Sequence, residues 1–383
     1  MNENKRTKIV FLTSSMQIGG QEQYISQQII HLDKSKFDPV LCCLKTSGPM
    51  ADRVIAEGVE VVSGFQRFKY DLFSLWRMTR FLYLRKPDIL YIFDFRNVLF
   101  IGRLAAKLAS IRTVVIASHK MNYNNSGRSY KWLDRLLMPL SDHVIAAARI
   151  HRESLILKDK ISPDKVTAIH NGIQLSRLED DLRHVVHRED LGIPNGAIIV
   201  GTVARLSSEK AQNILLQAAA IIIRKIPEAH FIFVGDGPER KHLEEMASKL
   251  GLREKVHLLG FKTRVAPIVK LFDVFTLPST STELFSAATL EAMALGIPVV
   301  VTDVGSMKEM IVPDITGFLV PPGDPNILAK KILYLLTNPD VAKKMAIAAS
   351  VQVHQSFTAQ REITQIQALF EKLLRSNEKS TTM

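Results

Sequence analysis

The sequence predicts an α/β protein made of two successive halves, each built on a parallel sheet, and three observations carry that expectation. At 383 residues the chain exceeds the length at which a single hydrophobic core usually stops growing, so two domains are expected. Short apolar, β-branched runs alternate with amphipathic helical stretches, the pattern of parallel sheets covered on both faces. Polar, glycine-containing or charged residues recur just past the apolar runs, where open α/β sheets bind ligands.

Composition narrows the class. Hydrophobic residues make up 46% of the chain and charged residues 23%, as in ordinary globular proteins. No apolar run has the roughly 20 residues needed to cross a bilayer. The N-terminus is basic (Lys5, Arg6, Lys8), yet the apolar run at residues 9–12 is too short for a signal peptide and reads as a first strand, which predicts a cytoplasmic protein. Cys42 and Cys43 are adjacent in a strand-like run, so buried free thiols are expected rather than a disulfide or metal site. Charge is uneven. Residues 1–175 hold 26 Lys and Arg against 15 Asp and Glu, or +11; the remaining residues hold 24 against 23, or +1. Such asymmetry predicts an anionic partner for the first half.

In the first half, residues 8–13 form a strand that runs into Ser14-Ser-Met-Gln-Ile-Gly19-Gly20 and a helix from about Gln21. Paired glycines there let a backbone approach a diphosphate, or simply make a tight turn; the dinucleotide fingerprint is absent because its third glycine is missing. Residues 40–44 and 60–63 read as further strands, and 72–85 as a helix whose Leu72, Leu75, Trp76, Thr79 and Leu82 share one face while Arg77, Arg80 and Arg85 point elsewhere. Taken with Arg67, Lys69, Arg128, Lys131 and Trp132, these arginines form either a solvated basic face or a surface lying against anionic lipid. No nucleic-acid motif accompanies them, so no nucleic-acid partner is expected. Strands at 88–93 and 113–117 follow, the first leading into Asp94, Arg96 and Asn97, the second ending at Ser118-His119. A histidine past a parallel strand is either structural or aimed at ligand. Residues 122–127 read as a mobile polar loop. Strands at 144–147 and 165–169 lead to His170-Asn171-Gly172-Ile173, after which 174–194 is charged and weakly periodic.

The second half restarts with a strand at 198–203, then Ala204-Arg205-Leu-Ser-Ser-Glu209-Lys210 and a helix. Arg205 and Lys210 at a strand-to-helix turn suit a diphosphate, or an exposed pairing with Glu209. A strand at 231–234 closes with Gly235-Asp-Gly-Pro-Glu239, read as a turn. Phe261 follows the strand at 256–260 and is a candidate neighbour of a nucleotide base.

The centre of the chain is the stretch from Pro278 to Val301. It reads as strand end, polar loop, short helix capped by Ser286, a left-handed stop at Gly296, then Pro298 and a buried strand. A helix N-terminus suits phosphate. Glu283 lies just before the helix, and Glu291 is the only charge on it; Glu291 suits sugar hydroxyls such as those of a ribose, or an ion pair with a basic neighbour.

The spacing Glu283, seven residues, Glu291, followed by Ala-Met-Ala, Gly296-Ile-Pro298-Val-Val and Asp303-Val-Gly305, resembles the donor-site signature of the retaining family-four glycosyltransferases. Gly19-Gly20 with Glu22, His119, His170-Asn-Gly172 and Arg205 with Lys210 match that family's other segments in order. The resemblance spans nearly the whole chain and is most specific at 278–305. It implies the GT-B architecture, two Rossmann-like domains with parallel sheets facing across a cleft. The implied domains are an acceptor-binding domain at 1–175, a hinge at 176–195 and a nucleotide-sugar domain at 196–355. A helix at 356–375 would return to the first domain, and 376–383 would form a disordered tail.

The resemblance also implies the chemistry: retaining, metal-independent glycosyl transfer, of hexosyltransferase type, from a nucleotide-diphosphate sugar. Glu283, His119, Arg205 and Lys210 would be catalytic; Gly19, Gly20, Glu291, Ser286, Phe285 and Ala287 would bind the donor. No metal and no cofactor beyond the co-substrate is expected. The acceptor would be a glycan or glycolipid, in polysaccharide or lipopolysaccharide biosynthesis, with the basic first half touching the inner face of the cell membrane. Alanine stands at 204 and 211 where the family has glycine, and Leu284 and Ala287 also depart from its pattern. A silent binding subunit or a nucleotide-sugar epimerase on the same architecture therefore remain open.

Overall fold

The computed structural model describes residues 6–68, 71, 73–93, 97–118, 128–281 and 283–381. His119, the loop at 122–127, Asp94, Arg96 and Lys69 lie outside the described residues, as do the side chains of Arg128 and Lys131. The chain divides into two units: Met1–Asn171 with Ala359–Met383, and Gly172–Thr358.

The first unit holds a seven-stranded sheet. In chain order its strands are β1 (Thr7–Thr13), β2 (Phe37–Cys43), β3 (Glu60–Ser63), β4 (Ile89–Ile92), β5 (Thr113–Ser118), β6 (His143–Ala146) and β7 (Val166–Ala168). They lie in the order β3-β2-β1-β4-β5-β6-β7, every pair parallel. Alternation along the strands sorts the side chains into two cores. Ile9, Phe11, Ile89, Tyr91, Val115 and Ala117 face one way; Val10, Leu12, Leu90, Ile92, Val114 and Ile116 face the other. The first core is closed by Ile25 and Ile29 of the helix Gly20–His31 and by Ile363, Ile366 and Phe370 of the last helix, Ala359–Thr381. Phe370 packs edge-on against Tyr91 at 5.2 Å, and buried Glu362 accepts hydrogen bonds from Gln27 and Gln28.

Three local expectations are corrected. The last helix continues through Thr381 in place of a disordered tail from Ser376, and the Asn377 amide donates to Arg112 O and Thr113 Oγ1. The segment expected as a hinge belongs to the second unit and carries the helix Leu175–Leu182. In the helix Phe73–Arg85 the buried positions are Ser74, Met78 and Leu82, which puts Trp76 on the exposed face. Arg77 turns inward because buried Asp71 needs a counter-charge, and its Nε also donates to Phe65 O.

The second unit holds β8 (Ile198–Val203), β9 (Ala229–Val234), β10 (Val256–Gly260), β11 (Val274–Leu277), β12 (Val299–Thr302) and β13 (Phe318–Val320). These are parallel in the order β10-β9-β8-β11-β12-β13. Both sheets reverse direction of growth once, between β1 and β4 and between β8 and β11. Such a switch point separates the loops that leave its two strands and opens a crevice at their carboxyl ends. Cys42 and Cys43 are buried free thiols, as expected; burial raises both, Cys43 to about 12, which keeps them protonated and inert. Among the described residues no helix is long and apolar enough to cross a membrane.

Candidate active site

The second unit's switch point gathers the most specific sequence segments. β8 delivers the Arg205–Lys210 loop and β11 delivers Glu283, 73 residues further along the chain. Lys210 Nζ lies 2.6 Å from Glu283 Oε1, and Ser279 Oγ donates to the same oxygen at 2.5 Å. Glu283 is 8% exposed, so this ion pair is shielded from water on the carboxylate side and more open at the lysine.

Backbone contacts fix each partner. Ser306 N–H and Oγ–H donate to Glu283 O at 2.8 and 3.2 Å. The Thr302 hydroxyl donates to Ser279 O at 2.6 Å, tying the Glu283 loop to β12. Thr280 N–H donates to Glu209 O at 3.0 Å and stitches the two loops together. On the other side the turn after β9 holds the Arg205 loop through Ala204 N–H to Val234 O, Leu206 N–H to Asp236 O and Glu239 N–H to Leu206 O. Gly235, at φ 133°, has no room for a side chain there: a Cβ would sit 2.0 Å from Ala204 O. The Gly235-Asp-Gly segment, expected from the sequence as a strand-to-helix turn, is thus also a backbone platform for the lysine loop.

Ala211 follows Lys210 at φ 49°, ψ 42°, a left-handed conformation that costs an alanine roughly 1–2 kcal/mol. The glycine found at this position in the resembled family is a conformational requirement that alanine meets under strain.

Ser286 caps the helix Ala287–Ala294, its Oγ accepting from Thr289 N–H at 3.2 Å, and Gly296 stops the helix region at φ 72°. Phe285 is buried, with its ring edge-on to Phe357 at 5.4 Å between centroids. Ala287 opens the helix, half-buried. Glu291, 7% exposed one turn further in, is held by the Arg177 guanidinium from the helix Leu175–Leu182. Of the two uses expected for Glu291, the pairing with a basic neighbour is therefore present. Arg205 is exposed at the loop surface, and Phe261 is exposed beyond the edge strand β10.

In the first unit, Gly19 and Gly20 lie past β1 at that sheet's own switch point, at the start of the helix Gly20–His31. A Cβ on Gly20 would meet nothing within 4 Å, and one on Gly19 would meet only the end of the Glu22 side chain. Neither glycine has positive φ. The chain itself thus does not demand glycine at position 20. His119 cannot be placed with these groups, since it lies outside the described residues.

Sequence reasoning missed Arg177, Ser279, Ser306 and the close backing of Glu283 by Gly305, where a Cβ would fall 2.0 Å from Glu283 O. Arg177 was hidden in a segment read as hinge. The others act through backbone or hydroxyl contacts that carry no periodic signal; the Asp303-Val-Gly305 tripeptide was the visible trace of one of them.

Two family models cover most of the chain. Residues 18–177 match Glycosyltransferase Family 4, and residues 186–352 match Glycosyl transferases group 1. The chain is 27% identical over 334 residues to the UDP-Gal:alpha-D-GlcNAc-diphosphoundecaprenol alpha-1,3-galactosyltransferase of Escherichia coli, covering 83% of this chain and 84% of the relative. It is 28% identical over 220 residues, 56% of each chain, to the alpha-D-kanosaminyltransferase of Streptomyces kanamyceticus. Its fold is that of Anabaena Alr3699/HepE, solved in complex with UDP-glucose, at a TM-score of 0.84 and 23% identity over 96% of this chain and 100% of that one. The matched models, the ordered motifs and the paired parallel sheets agree: the chain belongs to glycosyltransferase family four and has the GT-B fold.

Proposed function

We propose that this chain transfers a hexose from a uridine-diphosphate sugar to a lipid-linked saccharide, with retention at the anomeric carbon and without a metal. The observation that carries the reading is the Lys210–Glu283 pair at the switch point. Glycosyl transfer breaks the bond between the anomeric carbon and the diphosphate oxygen, the acceptor hydroxyl oxygen forms its replacement, and the hydroxyl proton leaves with the departing diphosphate. The barrier is the separation of a diphosphate from an oxocarbenium-like sugar. Lys210 and Arg205 supply positive charge for the leaving group, joined by the N–H groups at the Ser286-capped helix end. Glu283, beside Lys210, holds sugar hydroxyls near the reacting carbon, and Glu291 holds the ribose. The Gly19-Gly20 loop is open to close approach by phosphate or acceptor. His119 is assigned to the donor sugar by its match to the family motif. In this reading Arg205 and Lys210 take the charge-neutralising role that a metal ion would otherwise fill.

The uridine base and the lipid-linked acceptor are supported by the names of the relatives: the Escherichia coli enzyme uses UDP-Gal and a diphosphoundecaprenol-linked sugar, and the Anabaena structures hold UDP or UDP-glucose. The direct test incubates UDP-, GDP- and ADP-sugars with undecaprenyl-diphosphate N-acetylglucosamine and with a crude lipid extract. UDP release that requires acceptor, with an axial glycosidic bond from an axial donor by NMR, is expected. Consumption without acceptor would instead indicate an epimerase, and binding without consumption a silent subunit.

Approach to lipid is assigned to the first unit. The helix Phe73–Arg85 exposes Phe73, Trp76, Tyr83 and Leu84, with the Arg80 guanidinium 5.7 Å from the centre of the Trp76 ring. Aromatic side chains beside arginine suit the interface of an anionic bilayer, where each cation contributes about 1 kcal/mol. Sedimentation with phosphatidylglycerol vesicles at low salt is expected to capture the wild-type chain, and Trp76→Ser with Arg80→Glu to weaken capture about tenfold or more. Failure of the wild type to sediment would remove the lipid surface from the reading.

A further inference from the structure

We propose that Arg177 is a positioning residue for the donor ribose, acting through Glu291; the inference rests on the donor-site reading above. Glu291 is a buried carboxylate on the helix Ala287–Ala294, which carries no other charged side chain. Isolated burial of such a charge is costly, and the counter-charge comes from 114 residues away in sequence, on the first helix of the second unit. The side chains of Arg177 and Glu291 are only 17% and 9% exposed, so water and salt screen the pair weakly. Leu178, the next residue, is buried and anchors that helix.

Arginine brings more than charge to this contact. Its planar guanidinium fixes the plane of a carboxylate, whereas a lysine ammonium supplies charge with little orientation. A carboxylate has about four acceptor directions, more than the two that a guanidinium fork occupies. Arg177 therefore sets the rotamer in which Glu291 receives vicinal ribose hydroxyls. The segment that opens the second unit, six residues past the unit boundary at Asn171, in this way determines how well the nucleoside is held.

The test compares UDP with 2′-deoxy-UDP by calorimetry on the full chain. Wild type is expected to prefer the ribonucleotide by about tenfold or more, the scale of a hydrogen bond to a charged group. Arg177→Ala is expected to weaken UDP by about that factor while leaving 2′-deoxy-UDP nearly unchanged, so that the preference collapses. Arg177→Lys, which keeps a counter-charge for Glu291, is expected to melt near the wild type yet still lose most of the preference, which keeps the test open if the alanine variant folds poorly. Retention of the full preference in Arg177→Lys and Arg177→Ala, whatever their melting temperatures, would overturn the inference and leave the donor reading standing. A wild type that binds UDP, GDP and ADP no better than inorganic diphosphate would overturn the donor reading and this inference with it.

Discussion

Glu283→Gln and Lys210→Ala each lower kcat/KM by about 10²–10³, the loss that follows removal of one preorganised electrostatic contact at a reacting centre. The two variants reach that loss by different routes. Glutamine keeps the shape of Glu283 and an oxygen for Lys210 Nζ and Ser279 Oγ, so its melting temperature stays within a few degrees of the wild type while its negative charge is gone. Truncating Lys210 leaves a carboxylate that is 8% exposed without its cation, which costs about 1–3 kcal/mol of stability as well as turnover. Because the pair acts as a unit, the double variant falls far short of the product of the single losses. Progress curves for UDP release and urea melts on all four proteins check this. Near-wild-type turnover in Glu283→Gln would remove the pair from the chemistry and leave it a structural tie between two loops.

Much of the fold and part of the site were legible because they depend on local pattern. The apolar run at residues 9–12 is legible as a strand, and the two-residue period of a strand then sends Ile9 and Phe11 to one core and Val10 and Leu12 to the other. Ser286 and Gly296 announce the ends of one helix through capping chemistry that acts within a few residues. What was not legible depends on pairings far apart in sequence. Arg177 lies in a charged segment without clear periodicity, and only the fold brings it to Glu291. Trp76 was misplaced because apolar identity at helical spacing fits two faces; the packing of Met78 and Leu82 and the demand of buried Asp71 for Arg77 decide between them. The helix beyond Ser376 was missed because a polar composition hides the Asn377 hydrogen bonds to Arg112 and Thr113.

Gly305→Ala is the backbone counterpart of the Lys210–Glu283 experiment. Gly305 adopts φ 58°, where an L-residue pays about 1–2 kcal/mol. A Cβ there would also fall 2.0 Å from Glu283 O and 2.7 Å from Glu283 N. These are backbone atoms and cannot swing aside as a side-chain end would. The loops after β11 and β12 must therefore separate, which stretches the 2.8 Å hydrogen bond from Ser306 N–H to Glu283 O and shifts the Glu283 side chain away from Lys210. A displacement of about 1 Å at a reacting group costs on the order of 100-fold in rate. The expected result is a loss of about 2–4 kcal/mol in urea unfolding, the range of strained or overpacked sites, together with at least that loss of kcat. Ser306→Ala is the informative control. It removes only the 3.2 Å hydroxyl contact and keeps the N–H bond, so it should cost about 1 kcal/mol and little activity. If Gly305→Ala were destabilised but turned over at the wild-type rate, the Glu283 loop would not need its close backing, and the geometry around that carboxylate would be more tolerant than its contacts imply.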